Sequence, residues 1–266
     1  MKTLSRAIAS AGAVGKPIAL PWRALNEVVN LRTKELVMLA GAPGGGKSTV
    51  AVNLAIGANM PVLYCAQDSP ASVLSRLTGL TLGRESSTIQ NALASDSMRP
   101  AVVEQMRGKH PLLVVNRGPV ETSRLRDMCV ALTEWIGHPP PLIFVDNLID
   151  LIVPGHSHHD TTFYSVALPE LKRLAEDMDS CVVVLHHVTR GGGEAHGQGQ
   201  QPLRMNDLLY AGEREARHVW GVYNNGAGVL KVQVLKQQDG PADPAGGMEV
   251  PLRWYPRLTK LVSWDE

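Results

Sequence analysis

Aromatic residues are scarce in this 266-residue chain, which has two phenylalanines, five tyrosines and five tryptophans. No clustered rings stand out as a stacking platform for single-stranded bases. Cysteine is rare too. Cys65, Cys129 and Cys181 lie far apart and form no C-x-x-C pair, which argues against a zinc finger or a disulfide framework. They read as buried free thiols of a reducing cytoplasm. Long apolar runs are missing. None reaches the ~18 residues of a membrane span, and the small, apolar residues 1–15 are interrupted by Ser, Gly and Arg, unlike a signal-peptide core. Neither charge dominates, with 26 Lys+Arg against 25 Asp+Glu. A chain built to coat nucleic acid would be strongly basic. Contact with DNA would fall instead to local loops, or to a ring of subunits that concentrates a few cations. What remains is an ordinary globular composition, 44% hydrophobic and 19% charged, long enough for one sizeable core.

The strongest signal is Gly41-Ala42-Pro43-Gly44-Gly45-Gly46-Lys47-Ser48-Thr49, a G-x-x-x-x-G-K-S match. The apolar run 36–40 before it suits a buried parallel strand. After it, Val50, Leu54 and Ala58 share one face at helical spacing. Strand, glycine loop and helix together make a phosphate cradle. Backbone N–H groups of Gly41, Gly44, Gly45, Gly46 and Thr49 would turn toward a β-phosphate, aided by the helix dipole. Lys47 would reach the β/γ-phosphates, and the Ser48 hydroxyl would ligate Mg²⁺.

Further along, the pattern alternates. Residues 61–66 form a second apolar strand, 71–82 a helix, 112–115 a strand and 123–136 a helix closed by Gly137 and three prolines. Residues 83–100 are polar and poorly determined. The strand 142–146 ends in Asp146. A polar loop, 154–162, leads to an amphipathic helix over 163–179, and the strand 181–185 ends in His186-His187. Residues 189–204 are rich in Gly and Gln and read as a loop. Two apolar runs, 219–223 and 229–235, flank Asn224-Asn225-Gly226-Ala227-Gly228, a hairpin signal. Residues 248–263 give another short pair. The expected fold is α/β: a mainly parallel sheet with helices on both faces, extended by antiparallel strands at its C-terminal end.

Three single positions and two groups of residues carry candidate chemistry beside the cradle. Asp146, an acid closing a buried strand, reads as the second magnesium-site residue, holding the ion through water opposite Ser48. Asp68 closes the strand after the cradle helix, at the edge where open α/β sheets bind ligands. It is the expected base for the attacking water; capping the following helix is its alternative role. His187 would touch the γ-phosphate, with His186 facing the other way because strand side chains alternate. An ordinary edge histidine is the alternative. His156, His158, His159 and Asp160 suggest a metal, but one loop with no rigid strand reads better as solvated. Arg190, His196 and Arg204 are candidate phosphate contacts for a nucleic acid, or else part of a surface loop.

Together these residues resemble the RecA-like ATPase core of the DnaB-type replicative helicases and their RadA and plasmid RepA helicase relatives, over about residues 18–260. Residues 35–49 are similar to the family's P-loop entry. Val62-Leu63-Tyr64 with Asp68 is similar to its second strand, where the family carries glutamate. Residues 142–146 with Leu148 and Leu151 resemble its Walker B strand, and 171–187 its next helix and strand. His-His is the plasmid-helicase form where DnaB-type proteins have glutamine. Asn206-Asp207-Leu208 resembles a Ser-Asp-Leu element.

The resemblance implies a RecA-like P-loop NTPase: residues 1–17 as lead-in, 18–266 as one ATPase domain, ATP and Mg²⁺ as cofactors. The strand ending at His187 would lie between the P-loop strand and the Asp146 strand. It also implies a homo-oligomeric ring, usually a hexamer, with ATP between subunits and residues 154–162 and 189–204 facing single-stranded DNA. Counterparts of the DnaB N-terminal domain and of the RadA zinc finger and protease-like tail are not seen. Where the family has Lys-x-Arg reaching a neighbour's phosphates, this chain has Lys236-Gln237-Gln238. Lys236 is kept, glutamine replaces the arginine finger, and Arg217 is a candidate substitute. The expected function is a cytoplasmic ATPase of replication or recombination, a phage- or plasmid-type ring helicase or branch-migration motor, with partners among replication or recombination proteins and no membrane. The alternative is a nucleotide-switched mediator or loader with slow turnover, which Gln238 favours. A small-molecule kinase would carry an arginine-rich lid, and none follows the P-loop.

Overall fold

Apolar runs separated by helices, as in this chain, assemble into a sheet covered on both faces. The computed structural model describes Ser5 and residues 15–67, 69–110, 112–188, 200–208 and 214–264. Its strands are β1 (Leu36–Gly41), β2 (Val62–Ala66), β3 (Leu113–Arg117), β4 (Leu142–Asp146), β5 (Cys181–His187), β6 (His218–Asn224), β7 (Val229–Gln237), β8 (Glu249–Tyr255) and β9 (Lys260–Val262). They form one nine-stranded sheet in the order β3-β2-β4-β5-β1-β6-β7-β8-β9. The first six in that order are parallel. The last three continue as an antiparallel meander. The strand ending at His187 thus lies between the P-loop strand and the Asp146 strand, as the resemblance implies.

The helices are α1 (Arg23–Asn26), α2 (Lys47–Gly57), α3 (Pro70–Leu82), α4 (Ser86–Ala94), α5 (Arg99–Met106), α6 (Thr122–Ile136) and α7 (Thr161–Asp177). Alternation along β1 divides the core in two. Val37 and Leu39 face α2 and pack with Val50 and Leu54. Leu36, Met38 and Ala40 face the other way, toward Leu125 and Cys129 of α6 and Leu171 of α7. Burial on both faces explains why β1, β2, β4 and β5 read as continuous apolar runs rather than alternating ones.

The poorly determined stretch 83–100 is a pair of helices, α4 and the start of α5. Each is short and buries little: Ile89 and Ala92 in α4, Val102 in α5. Two apolar contacts in nine residues give no readable period. All three cysteines are free and buried, and burial pushes the Cys65 and Cys129 thiols up to about 12. Among the described residues no helix is long and apolar enough to cross a membrane.

One polar bracket ties the beginning of this architecture to its end. Asn53, buried on α2, donates to the Thr259 carbonyl at 2.6 Å and accepts from the Leu261 N–H at 3.0 Å. Ser86 of α4 meets the Thr259 hydroxyl at 2.8 Å. The β8–β9 turn is therefore fixed to the helix that follows the glycine loop.

Candidate nucleotide-binding site

β1 ends at Gly41 and α2 starts at Lys47, so residues 42–46 must reverse the chain within a single loop. Gly44 (φ 76°) and Gly46 (φ 106°) take left-handed conformations that suit glycine. Space demands it as well: a Cβ on Gly46 would lie 2.3 Å from Leu230 Cδ1 of β7. Gly46 is the N-cap of α2, and no side chain caps the helix. The first N–H groups of α2 lack intrahelical partners and sit at the positive end of the dipole. That arrangement suits a phosphate.

Lys47 is buried and folds back over the loop. Its Nζ donates to the carbonyls of Gly41 (2.7 Å) and Ala42 (3.1 Å) and lies 3.4 Å from His187 Nδ1. Burial pulls its pKa down to about 8, against the opposing pull of the Asp146 charge. Asp146 closes β4 with Oδ1 3.5 Å from the Ser48 hydroxyl, while Oδ2 accepts from the Tyr64 hydroxyl at 2.8 Å. Burial raises its pKa, opposed by hydrogen bonds from Tyr64 and Ser48 and by the charges of Arg76 and Lys47.

For each buried charge the effect of burial outweighs that of the opposite charges beside it. A phosphate chain would supply counter-charge to Lys47 and a divalent cation to Asp146. The hard oxygens of Ser48 and Asp146 suit Mg²⁺. The residues present fit a magnesium–nucleotide pair.

Lys47, Ser48, Thr49, Asp146 and His187 line one cavity of about 320 Å³ with Gly44 and Gly46. Gly41 and Gly45 are not among its lining residues; the Gly41 carbonyl accepts from Lys47, and the Gly45 N–H donates to the Ala42 carbonyl. His187 is half-buried and in register with Gly41. His186 turns to the opposite face and meets Tyr164 edge-on at 5.6 Å, as alternation requires.

Other expected residues fall elsewhere. Asp68, Arg190 and His196 lie outside the described residues. Lys236 is not at this cavity. It pairs with Val219 toward the opposite end of the sheet, and its Nζ approaches the Arg214 carbonyl at 3.5 Å. Arg217, the candidate substitute finger, is engaged within its own chain, through Nε to Glu35 Oε1 at 2.9 Å and through its other arm to Asp239. Arg204 lines a second cavity of about 550 Å³ with Asp207, Tyr223 and Glu249. The histidines of the 154–162 loop join no group suited to a metal among the described residues.

Three contributors escape a reading of the sequence. Arg76 of α3 and Trp254 of β8 line the cavity, and Asn224 donates to the Gly44 carbonyl at 3.0 Å. Arg76 has a partial signal, being eight residues beyond Asp68 on the helix that Asp68 precedes. Trp254 and Asn224 have none, because only the meander brings β6 and β8 to the loop.

Known proteins share this fold. Residues 20–257 match the family model for the DnaB-like helicase C terminal domain. The chain is similar to the gene 65 protein of Mycobacterium phage L5, 26% identical over 243 residues and 88% of each chain. It is also similar to that of Mycobacterium phage D29, 24% identical over 240 residues, 86% of this chain and 100% of the relative. In structure it is similar to a solved ATPase domain, with a TM-score of 0.77 at 16% identity, covering 98% of this chain and 95% of that one. A DnaB-like replicative helicase, solved with its interactions with primase, gives a TM-score of 0.75 at 16% identity, covering 98% of this chain and 65% of that one.

Proposed function

The chain belongs to the DnaB-like helicase C-terminal domain family, and from its RecA-like, replicative-helicase-type ATPase core we propose a ring-forming motor that hydrolyses ATP to move on single-stranded DNA. The observation that carries this reading is the convergence of Lys47, Ser48, Asp146 and His187 on one cavity, with both buried charges pushed toward neutrality by burial. Bound Mg²⁺–ATP supplies the phosphoanhydride bond whose hydrolysis drives movement. Lys47 and the first turn of α2 would grip the phosphates, while Ser48 and Asp146 would hold the metal. Tyr64 keeps Asp146 turned toward Ser48. Asp68 takes the proton of the attacking water, His187 senses the γ-phosphate, and Arg190, His196 and Arg204 contact the phosphates of the DNA. Lys236 acts on a neighbouring subunit's nucleotide. The similarity to mycobacteriophage proteins supports a phage origin, and the DnaB-like family supports a role in replication, with other replication proteins as partners.

The test is ATP hydrolysis with and without single-stranded oligonucleotide. The proposal expects a rise with DNA, and its loss in Lys47→Ala. Equal rates in all three conditions would sink it. The particle mass with a non-hydrolysable ATP analogue reads the ring.

A second reading is a nucleotide-switched loader, in which turnover is incidental. Gln238 at the finger position and the intrachain engagement of Arg217 favour it. Strand displacement measured beside ATP hydrolysis separates the two: hydrolysis without displacement supports the loader.

A further inference from the structure

Resting on the reading that residues 189–204 face single-stranded DNA, we infer that Gln233 is a positioning residue that fixes the far end of that segment to the sheet. Gln233 is fully buried in β7. Its neighbours Val232 and Val234 face the α2-side core. Alternation turns Gln233 to the other face, where Leu203 packs. An apolar side chain is the ordinary occupant of such a place. Here the carboxamide uses both ends. Its Oε1 accepts from the Leu203 N–H at 2.8 Å, and its Nε2 donates to the carbonyls of Gly246 at 2.6 Å and Leu203 at 3.3 Å. Holding both backbone groups of one residue is what a partner strand does in an antiparallel ladder. Two glycines make room for it. A Cβ on Gly221, its cross-strand partner, would lie 2.8 Å from Gln233 Oε1. A Cβ on Gly246 would lie 2.5 Å from Gln233 Nε2 and 2.2 Å from the Leu203 carbonyl oxygen.

The segment is held at its two ends by different strands. Val188, the residue after His187, pairs antiparallel with Leu208. Leu203 is held to β7 by Gln233, and the Met205 N–H donates to the Pro244 carbonyl at 2.9 Å. Arg204, a DNA contact in this reading, follows Leu203 directly, and its N–H donates to Asp207 Oδ2 at 2.7 Å. One end therefore moves with the strand that meets the γ-phosphate, while the other stays with β7. A shift of His187 on loss of that phosphate would then redirect the segment instead of being taken up as slack. Without the carboxamide, Leu203 loses its fixed place and Arg204 its aim.

The experiment is ATP hydrolysis by the full chain over a titration of single-stranded oligonucleotide, beside calorimetric Mg²⁺–ATP binding and a melting curve. In Gln233→Leu, the oligonucleotide concentration for half-maximal stimulation rises about tenfold, while DNA-free hydrolysis and ATP affinity stay within about twofold of wild type. Gln233→Glu decides the matter if the leucine variant fails to fold. A protonated carboxyl donates and a carboxylate does not, and burial raises the pKa of such a group. Relative to wild type at the same pH, its DNA defect should therefore grow from about pH 6 to about pH 9. DNA dependence within about twofold of wild type in the leucine variant, or in the glutamate variant at the alkaline end, overturns the inference. So does a parallel fall of DNA-free and DNA-stimulated rates with a lowered melting temperature, the mark of a merely structural glutamine. Wild-type hydrolysis that the oligonucleotide does not raise overturns the DNA reading itself, a separate outcome.

Discussion

The hydroxyl of Tyr64 donates to Asp146 Oδ2 at 2.8 Å from the neighbouring strand, leaving Oδ1 turned toward Ser48. The phenol is fully buried and stacks on Phe144 at 5.0 Å. Burial, reinforced by the Asp146 charge, raises its pKa well above the usual tyrosine value, so it remains a donor throughout the physiological range. Tyr64→Phe removes one hydrogen bond to a buried carboxylate. It should destabilise the protein by about 1.5–3 kcal/mol and raise the Mg²⁺ concentration needed for half-maximal ATP hydrolysis. Urea unfolding and a Mg²⁺ titration check the two parts. Unchanged Mg²⁺ dependence would leave Tyr64 a packing residue only.

Lys47 and Asp146 make nucleotide binding pH-dependent with opposite signs. Burial holds Lys47 near 8 in the free protein, and phosphate oxygens raise it, so binding near pH 8 takes up protons. Burial raises Asp146, and a bound cation lowers it, so binding at the acid end releases them. Titration with preformed Mg²⁺–ATP in two buffers of different ionisation heat should show uptake near pH 8 that declines and reverses on acidification.

The same residue weakens the ligand-free fold. A lysine held below its unfolded pKa costs stability at every pH below about 8, and the cost fades as pH rises from there to 10.5. Lys47→Met should raise the unfolding free energy of the free protein at pH 7, by up to about 3 kcal/mol before its lost hydrogen bonds are subtracted. The gap should close toward pH 10, and nucleotide binding should be lost throughout.

Arg76 offers a cation to the cavity from within the same chain, beside Asp146. Arg76→Ala should lower the rate of ATP hydrolysis about 10- to 100-fold, as expected for a hydrogen bond to a charged group, with a small change in unfolding temperature. Steady-state kinetics beside a melting curve decide it. A collapse of the fold would mark Arg76 as structural instead.

Gln238 is exposed, and the family resemblance puts it where the finger arginine is expected. If a ring places this residue against the adjoining subunit's nucleotide, Gln238→Arg should raise hydrolysis at least tenfold, since such arginines contribute about 10³–10⁵ in GTPases. No gain from the substitution, in protein shown to assemble, would mean that this edge does not reach a neighbour's phosphates.

The centre of the site was legible because its chemistry is local. Gly41 to Thr49 specify a strand, a loop and a helix in succession, and Asp146 and His187 each close an apolar run that can only be a buried strand. The antiparallel finish followed from the hairpin signal at 224–228 and the opposed histidines from strand alternation, whereas the place of the His187 strand between the P-loop and Asp146 strands came from the family resemblance. Arg76, Trp254 and Asn224 were not legible, because their presence at the cavity depends on how distant segments pack. Asn53 shows the difficulty plainly. It interrupts an apolar helix face for no local reason, and its purpose is apparent only when Thr259 and Leu261 lie beside it. The helices α4 and α5 escaped notice because they bury too few side chains to carry a period.

The bracket from Asn53 to the last strands bears on how the protein is made. A chain emerging from the ribosome has its glycine loop and α2 long before β8 and β9 exist. Asn53 then lacks its partners, and the wall that Trp254 provides is missing. Competence to hold nucleotide should come late, once the final hairpin has been synthesised and has docked, which would keep half-made chains from engaging the cell's ATP.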